Sequence, residues 1–346
     1  MQTILVLFGG CSTEYEVSLQ SAHAVLQALD TDRYRPLPVG ITREGRWLRY
    51  RGALSHLKEG DWAEQPGNVP CTLSLDREAP HLLWLDGSGI CEPFDGAFPI
   101  LHGKNGEDGT VQGLLELTGT PIIGCGTLSS ALCMDKDRAH KIAALAGVQV
   151  PRGRLFGREA AFCQMADAAE EIGYPLFVKP VRAGSSFGIS KVNRAEELPE
   201  AVRLAFGHDR EILMEEAIPG FEVGCAVLGS ETLTVGAVDE IELSQGFFNY
   251  TEKYNLVTSR IHCPARITPE QTAEIQAAAK RVYQALDCRV FARVDFFLTP
   301  EGKIVFNEVN TIPGFTAHSR YPGMMRAAGW TFSGLVNRLV ELGVER

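Results

Sequence analysis

Four polar residues near the C-terminus have the types and the spacing of a metal and phosphate site. Arg293 and Asp295 are two residues apart, and so are Glu308 and Asn310. Side chains two apart on a strand share a face, and the turn at 299–302 predicts a hairpin that brings both pairs together. Carboxylate and amide oxygens are hard ligands that suit Mg²⁺ holding phosphate groups. The alternative is a surface ion cluster, although the apolar neighbours would bury these charges.

Two lysines and a glycine-rich turn are candidates for phosphate contacts. Lys179 ends an apolar run and so stands at the mouth of a predicted strand, while Lys136 follows Asp135 in a predicted helix. Each ammonium group can neutralise phosphate charge. The turn at 183–188 can present backbone N–H groups to phosphates, although it can equally be a plain connection. The sequence has neither a P-loop nor a dinucleotide fingerprint, so any nucleotide must be held in another way.

Two further candidates follow predicted strands in the first third of the chain. Ligands bind at the carboxyl ends of parallel strands, so Glu16 is placed to meet a cation such as an ammonium group. Its alternative role is a first-turn partner of the helix dipole. His102 precedes a loop whose glycines permit tight turns. It is interpreted as a base, an orienting donor or a structural histidine.

The elements that position these residues are predicted from the pattern of apolar runs. In the first third, strands at 3–8, 37–41, 94–101 and 121–123 alternate with helices at 18–29 and 111–117. Such alternation predicts a parallel sheet. A second block has a helix at 128–146 and strands at 150–156 and 175–180 with a helix between them. The predicted class is therefore α/β.

The last part of the chain has the closely spaced apolar runs that are typical of an antiparallel sheet. The predicted class of this part is therefore α+β. Its closely spaced β-type runs are 212–215, 222–228, 233–241, 290–298 and 303–308. Between two of them, residues 243–261 are polar and aromatic without a clear period. A long loop inside a compact domain is usually a lid or binding loop.

Composition favours a folded acidic enzyme. The 346 residues are 45% hydrophobic and 22% charged, which is ordinary globular usage and enough for two or three domains. A net charge of -10 without a Lys/Arg run argues against nucleic-acid and membrane partners. Nine scattered cysteines without a paired motif indicate reduced thiols, and the short first apolar run is not typical of a signal peptide. The expected location is the cytoplasm.

Seven motifs together resemble the D-alanine-D-alanine ligases of the ATP-grasp superfamily. They are Glu16 to Ser18, His102 to Gly109, Met134 to Lys136, Gly184 to Ser186, Lys253 with Tyr254, Arg293 with Asp295, and Asn307 to Gly314. The resemblance runs through the whole chain. It implies an ATP-grasp fold with an N-terminal preATP-grasp domain at 1–124. The two ATP-grasp subdomains would be 125–214 and 215–346, with the lid at 243–261.

The resemblance also implies a mechanism and a set of residues. ATP would phosphorylate D-alanine, and the amine of a second D-amino acid would attack the acyl phosphate. Two Mg²⁺ ions, for which Mn²⁺ can substitute, would be held by Asp295, Glu308 and Asn310. The matching catalytic residues are Glu16, Ser185, Tyr254, His102, Arg293 and Gly314. The matching ATP contacts are Lys136, Lys179, Ser186, Glu215, Glu222 and Lys253.

The second-substrate residues depart from the usual pattern of the family. Ser319 matches the residue that binds the second carboxylate, but Phe248 replaces the usual Tyr and Arg320 replaces Leu, Met or Lys. Both changes resemble the vancomycin-resistance D-alanine-D-serine ligases. A donor such as Arg320, with Asp239 as its partner, would satisfy a serine hydroxyl that an apolar pocket leaves unpaired. D-lactate is disfavoured because Lys253 and Tyr254 are retained.

The expected activity is thus an ATP-dependent ligation that supplies D-alanyl-D-serine for peptidoglycan. Three alternatives remain: a housekeeping D-alanine-D-alanine ligase, another ATP-grasp carboxylate-amine ligase, and a nucleotide-binding protein without turnover. The expected partners are small molecules, namely ATP, D-alanine and D-serine. The family resemblance also implies a homodimer.

Overall fold

A computed structural model describes residues 1–184, 187–243 and 259–345. Within these ranges the strands form sheets of seven, four and five strands, which follow one another along the chain. None of the helices in the described ranges combines the length and the apolar character needed to cross a bilayer.

The first sheet has a parallel centre. Its strands are β1 (Gln2–Gly9), β2 (Tyr34–Ile41), β3 (Trp47–Arg49), β4 (Val69–Leu73), β5 (His81–Trp84), β6 (Cys91–Pro93) and β7 (Gly96–Ile100), in the order β6-β5-β4-β3-β2-β1-β7. β1 pairs in parallel with β2 and β7, as the sequence predicts. The four short strands β3 to β6 extend this centre as an antiparallel edge, which the sequence analysis did not predict.

The carboxyl ends of β1 and β7 lie at one edge of this sheet, because the two strands are parallel neighbours. The segments that leave those ends therefore meet there. The helices of this part are α1 (Tyr15–Ala28), α2 (Ser55–Glu59) and α3 (Thr110–Leu117), with a 3₁₀ turn at Trp62–Glu64. The start of α1 at Tyr15 is three residues earlier than predicted, and this shift matters for the site.

The second sheet is antiparallel in all of its described pairs. Its strands are β8 (Gly153–Gly157), β9 (Leu176–Pro180), β10 (Ser190–Val192) and β11 (Glu211–Glu216), in the order β10-β9-β11-β8. The helices here are α4 (Thr127–Met134), α5 (Lys136–Leu145), α6 (Phe162–Ile172) and α7 (Leu198–His208), with a 3₁₀ turn at Ala195–Glu197. All of β11 pairs within this sheet, so the boundary expected between 214 and 215 falls inside a strand.

The single helix predicted at 128–146 is two helices. Asp135 has an extended backbone (φ -88°, ψ 99°) and separates α4 from α5. Its carboxylate accepts a hydrogen bond from the Arg138 N–H and so caps α5. Apolar periodicity alone does not reveal such a break, because the cap satisfies backbone donors that periodicity does not register.

The third sheet is antiparallel, as predicted. Its strands are β12 (Phe221–Leu228), β13 (Thr234–Leu243), β14 (Ser259–His262), β15 (Phe291–Leu298) and β16 (Ile304–Asn310), in the order β14-β13-β12-β15-β16. The helices of this part are α8 (Pro269–Ala285), α9 (Arg320–Ala327) and α10 (Phe332–Val344). α8 opens with a reciprocal capping box between Thr268 and Gln271, a signal that the sequence analysis passed over.

The last helix joins the two ends of the chain in one core. On α10, Leu335 and Leu339 are buried in the same apolar cluster as Val25 and Leu26 of α1. Phe291, at the start of β15, packs edge-on against Phe98 of β7 at a centroid distance of 6.1 Å. The first and third sheets therefore share a packed interior, which holds the edge of one against the hairpin of the other.

Candidate active site

A cavity of about 840 Å³ lies where the first and third sheets meet. Segments from both ends of the chain and the start of α5 contribute to its wall. Its lining includes Glu14, His102, Lys136, Arg293, Glu308 and Arg320. Charged side chains of both signs thus face one cleft, as expected of a site for polar substrates.

The β15–β16 hairpin brings together the four residues with which the sequence analysis began. Arg293 is opposite Asn310, and Asp295 is opposite Glu308. Arg293 Nη2 donates to Asp295 Oδ2 at 2.7 Å, and Asn310 Nδ2 donates to the same oxygen at 3.0 Å. The pairing expected from the two-residue spacing is confirmed.

The donor chemistry of this hairpin fits a magnesium ion. Glu308 and Asn310 line the cavity, whereas Asp295 is fully buried behind them. Two carboxylates and an amide oxygen are the hard ligands that Mg²⁺ prefers. The guanidinium of Arg293 already compensates part of the charge of Asp295, since it contacts both carboxylate oxygens.

Lys136 owes its position to the helix break. It is the first residue of α5, is only 7% exposed and lines the cavity. Its Nζ donates to the carbonyl oxygen of Ala183 at 2.8 Å. The lysine is therefore held against the start of the glycine-rich turn that was predicted to cover phosphates.

Lys179 and Glu215, both predicted as ATP contacts, form a buried pair. The Lys179 ammonium on β9 donates to Glu215 Oε1 on β11. Burial is the largest single influence and works to raise the pKa of the Glu215 carboxyl, but Lys179, His140 and Lys136 together hold that pKa below its usual range. Among the described residues, no hydrogen-bond donor reaches Glu215 Oε2, although this atom is buried. A buried acceptor without a donor is what the amino group of a purine would satisfy.

The structure places Glu16 outside the cavity in which its predicted role would put it. Its side chain is 61% exposed and forms an ion pair with Arg43. Because α1 begins at Tyr15, Glu16 falls in the first turn on the solvent side, while Glu14 occupies the N-cap position. Glu14 is 7% exposed and lines the cavity. The carboxylate that faces the cavity is thus that of Glu14, two residues before the predicted one.

The backbone at Gly103 lies close to Glu14. A Cβ atom at Gly103 would be 2.5 Å from Glu14 Oε2, so this carboxylate would have to shift to admit a side chain. The backbone at Gly103 also has φ +72°, a left-handed conformation that favours glycine. The loop after β7 therefore approaches this carboxylate as closely as a backbone can.

His102 is buried, and both of its ring nitrogens are engaged. Nδ1 lies 2.8 Å from the carbonyl oxygen of Ile312, and Nε2 lies 3.2 Å from Ser21 Oγ. Burial lowers the pKa of the imidazole, which favours the neutral form. Because both ring nitrogens already have protein partners, neither is directed at a substrate, and this geometry fits an orienting donor.

Glu107 is a second buried carboxylate that the sequence analysis did not single out. Its Oε2 accepts the Gly103 N–H at 2.8 Å, and its Oε1 accepts the Ile312 N–H at 3.1 Å. Burial and the neighbouring charges of Glu14 and Glu308 raise its pKa to about 8. Glu107 therefore retains a proton near neutral pH.

The predicted second-substrate residues lie together at the other end of the cavity. Arg320 donates to Asp239 through both Nε and Nη2, each at 2.8 Å. Its Nη1 donates to Glu222 Oε1 at 2.9 Å, and its Nη2 lies 3.4 Å from Asp295 Oδ1. Ser319 precedes Arg320 at the N-cap of α9 and lines the same cavity. Glu222, expected at the ribose of ATP, accepts this hydrogen bond from Arg320, and its role toward ATP stays a prediction.

Gly224 makes room for this charge cluster. On β12 it is paired with Asp239 on one side and Asp295 on the other. A Cβ atom there would be 2.5 Å from Arg320 Nη2 and 2.7 Å from Asp295 Oδ1. The absence of a side chain lets three strands and α9 bring their charges to one point.

Five predicted site residues fall outside the described residues. They are Ser185, Ser186, Phe248, Lys253 and Tyr254, and most of the predicted lid at 243–261 lies outside as well. Their roles stay predictions.

Sequence reasoning missed Glu14, Glu107 and Gly224. Glu14 could be identified only from the correct start of α1. That start decides whether the carboxylate at 14 or the one at 16 faces the cavity. Glu107 lies within the glycine-rich motif that follows His102, so the motif contained the signal. Gly224 has no sequence signal of its own, since its partners are 15 and 71 positions away.

Comparisons with known proteins match this geometry to one family. The family model described as the D-ala D-ala ligase N-terminus matches residues 3–125, and that described as the D-ala D-ala ligase C-terminus matches residues 142–341. The chain belongs to the D-ala D-ala ligase family. The ligase therefore has the ATP-grasp fold that the motifs imply and catalyses an ATP-dependent formation of a carbon–nitrogen bond.

Relatives of the ligase include enzymes with different names and second substrates. The D-alanine–D-alanine ligase of Caldicellulosiruptor bescii is 43% identical, over 99% of this chain and 95% of its own. The vancomycin B-type resistance protein VanB of Enterococcus faecalis is also 43% identical, over 99% and 98%. The crystal structure of the VanG D-Ala:D-Ser ligase from Enterococcus faecalis superposes with a TM-score of 0.93 at 54% identity, covering 99% of each chain.

Proposed function

We propose that the ligase joins D-alanine, as the first substrate, to D-serine. The observation that carries this proposal is the buried Arg320, which a bidentate pair with Asp239 fixes in the same cavity as Ser319. The similarity to the VanG D-Ala:D-Ser ligase supports it. Similarity alone does not decide the second substrate, because a D-alanine–D-alanine ligase matches over the same length of chain.

The proposed reaction has two balanced steps. A carboxylate oxygen of D-alanine attacks the γ-phosphorus of ATP, so the bond to the β,γ-bridging oxygen breaks and ADP leaves. The amine nitrogen of the second substrate then attacks the carbonyl carbon of D-alanyl phosphate. The tetrahedral intermediate expels phosphate, and the amine loses a proton, which leaves the dipeptide. Magnesium, when bound, neutralises charge on the phosphate oxygens.

Glu14 is proposed to bind the ammonium group of the first D-alanine. It is a buried carboxylate in the cavity, and Glu107, whose pKa its charge helps to raise, lies nearby. A cation in this place would favour the ionised form of both carboxyl groups. Ser185 and Tyr254 are proposed to connect to this carboxylate from the phosphate turn and the lid.

Arg293 and the N–H of Gly314 are proposed to stabilise the oxyanion of the tetrahedral intermediate. Both residues line the cavity. Within the described part of the chain, no hydrogen bond from the Gly314 N–H is found, so this donor faces the site without an acceptor of its own. Donors fixed before the reaction are the most effective means of stabilising developing charge.

ATP is proposed to lie against the second sheet and the hairpin. Lys136 and Lys179 would contact its phosphates, with Ser186 and Lys253 added from the turn and the lid. The free Oε2 of Glu215 would accept from the adenine amino group. Glu308 and Asn310 from the cavity wall, with Asp295 behind them, would hold Mg²⁺, with two ions proposed; Mn²⁺ is expected to substitute.

The preference for D-serine rests on its hydroxyl group. Arg320 has five N–H donors, and three of them bind Asp239 and Glu222. The remaining two can reach a ligand hydroxyl or the Asp295 carboxylate. A site built to bind a hydroxyl rejects a methyl analogue, because its buried donors would be left unpaired. Phe248 is proposed to complete this subsite.

The test is a competition between second substrates. The enzyme is incubated with ATP, Mg²⁺ and equal D-alanine and D-serine, and the dipeptides are weighed by mass spectrometry. Mostly D-alanyl-D-serine is expected. Mostly D-alanyl-D-alanine would make this a housekeeping ligase and contradict the role of Arg320. ADP release that does not depend on D-alanine would instead indicate another carboxylate substrate. The same sample, examined by sedimentation, tests the proposed homodimer.

A further inference from the structure

A closed chain of hydrogen bonds holds the loop that carries Gly314. This loop, residues 311–315, follows β16 and lines the cavity. At one end, the Ile312 carbonyl lies 2.8 Å from His102 Nδ1. At the other end, the Phe315 N–H donates to Ser21 Oγ at 3.1 Å. Ser21 Oγ and His102 Nε2 are 3.2 Å apart, so the chain starts and ends on the same loop.

Only one arrangement of protons satisfies every atom of this chain. A carbonyl can only accept, so His102 Nδ1 carries the proton. The imidazole is buried, and burial lowers its pKa and favours the neutral form, which leaves Nε2 as an acceptor. The Ser21 hydroxyl must therefore donate to Nε2, and its oxygen accepts the Phe315 N–H. The polarity runs in one direction from Phe315 through Ser21 and His102 to Ile312.

The loop has a further brace from the same part of the molecule. Glu107 accepts the Ile312 N–H, so both polar groups of that peptide position are held from residues 102–107. Ser21 lies on α1, and its side chain is fully buried. The first sheet and its helix thereby fix a loop of the third sheet at two points, on either side of Pro313 and Gly314.

We propose that Ser21 and His102 are positioning residues that fix the Gly314 N–H for oxyanion stabilisation. This inference rests on the role proposed above for Gly314. Ser21 touches no substrate and acts through His102 and the loop. His102 acts as a neutral, tautomer-fixed link and transfers no proton in the reaction.

The test compares two buried hydroxyl groups. Ser21→Ala removes the link, and Ser21→Thr retains a hydroxyl. The matched control is Thr118→Val, because Thr118 is equally buried and has two hydrogen bonds, 2.7 Å to Leu115 O and 2.6 Å to Thr120 Oγ1, that never reach the loop. Rates of ADP release and Michaelis constants for ATP and D-alanine are measured for each variant.

Ser21→Ala is expected to lower kcat between about tenfold and about a hundredfold, the range for a misplaced catalytic donor. Its KM values should change by less than about threefold, because the loop acts on the transition state rather than on ground-state binding. Ser21→Thr should recover most of kcat, and Thr118→Val should lose less than about threefold. Equal losses of kcat in Ser21→Ala and Thr118→Val would overturn the inference.

A second measurement does not depend on the catalytic activity of the enzyme. Nitrogen-15 NMR of the imidazole is expected to show His102 with the proton on Nδ1, unchanged between pH 6 and 8, and Ser21→Ala should speed the exchange of the Phe315 amide proton. A proton on Nε2, or an unchanged Phe315 amide in Ser21→Ala, would contradict the chain. If the wild-type enzyme released no ADP with D-alanine, the proposed function would fail while this NMR result still decided the inference.

Discussion

The two ends of the cavity handle charge in opposite ways. At the end where D-alanine is proposed to bind, Glu14 and Glu107 are buried near each other, and the pKa of Glu107 is raised to about 8 by burial and by the charge of Glu14. At the end where D-serine is proposed to bind, a single guanidinium on Arg320 is bonded to two carboxylates and lies close to a third. One end groups two buried carboxylates, and the other groups carboxylates around a guanidinium.

This difference indicates what each end is built to receive. An end with two buried carboxyl groups close together gains most from a cationic ligand, such as the ammonium group of an amino acid, because a cation favours their ionised forms. An end with a fixed, compensated guanidinium offers donors whose direction does not change on binding, which favours discrimination between neutral groups. The first end therefore provides affinity by charge, and the second provides selectivity by geometry.

The largest effect is expected at the first end. Glu14→Gln should lower kcat/KM for the first D-alanine by at least about a hundredfold, since a buried ammonium would lose its charged partner. Glu16→Gln is the matched control, because Glu16 is exposed and paired only with Arg43 in the described structure; it should stay within about twofold. Steady-state kinetics with saturating D-serine measure both. Equal losses in the two variants would remove the distinction drawn between these carboxylates.

A second variant should change the preference for D-serine over D-alanine at the end that holds Arg320. Phe248→Tyr with Arg320→Leu is expected to shift the D-serine to D-alanine ratio toward D-alanine by about tenfold to a hundredfold, the scale of one lost hydroxyl contact. Asp239→Asn is added, because a fully buried carboxylate without its guanidinium would destabilise the fold. Competition assays give the ratio, and thermal unfolding confirms that the variant is folded. A ratio that does not move would mean that these residues do not select the second substrate.

A substitution at Gly224 can strain the packing around Arg320 without changing any charge. Gly224→Ala introduces a Cβ atom within 2.8 Å of Asp239 Oδ1 and closer still to Arg320 Nη2. Because the cluster must shift, we expect a loss of about 1–3 kcal/mol in the free energy of unfolding and a reduced preference for D-serine. Gly207→Ala is the control, since a Cβ there would meet nothing within 4 Å. Chemical denaturation compares them, and an unaffected Gly224→Ala would show that the cluster is loosely packed.

The smallest effect is a pH dependence at the first end. The raised pKa of Glu107 means that the folded enzyme holds this proton up to about pH 8. A bound ammonium group favours the ionised carboxylate, so a proton competes with it. The KM for the first D-alanine should therefore fall as the pH rises from 6.5 to 8.5, by about threefold to tenfold. In Glu107→Gln this slope should disappear, and a slope that persists would assign the titration to another group.

The sequence predicted the hairpin well because its signals are local. A period of two, a turn at 299–302 and apolar flanks are enough to place Arg293 beside Asp295 and opposite Asn310. The parallel centre of the first sheet was predictable for the same reason. The short strands β3 to β6 were not, since their pairing depends on neighbours in the sheet more than on their own composition.

The errors at the site also have physical causes. Glu14 was not considered as a candidate; the start of α1 was placed three residues late, and near a helix N-terminus such a shift changes which side chain faces the cavity. The cap at Asp135 was missed, although it sets the position of Lys136. The Arg320 cluster depends on contacts across β12, β13, β15 and α9, which no local pattern describes; the resemblance to a family, rather than periodicity, connected Arg320 with Asp239.

The most direct test of this account is the order of residues in the product. D-alanine carrying a carbon-13 label and unlabelled D-serine are supplied together with ATP and Mg²⁺, and the dipeptide is fragmented by tandem mass spectrometry. The account predicts labelled alanine at the N-terminus and serine at the C-terminus, because the anionic end binds D-alanine and the Arg320 end selects the hydroxyl. Serine at the N-terminus, or a product with two labelled alanines in excess, would contradict it.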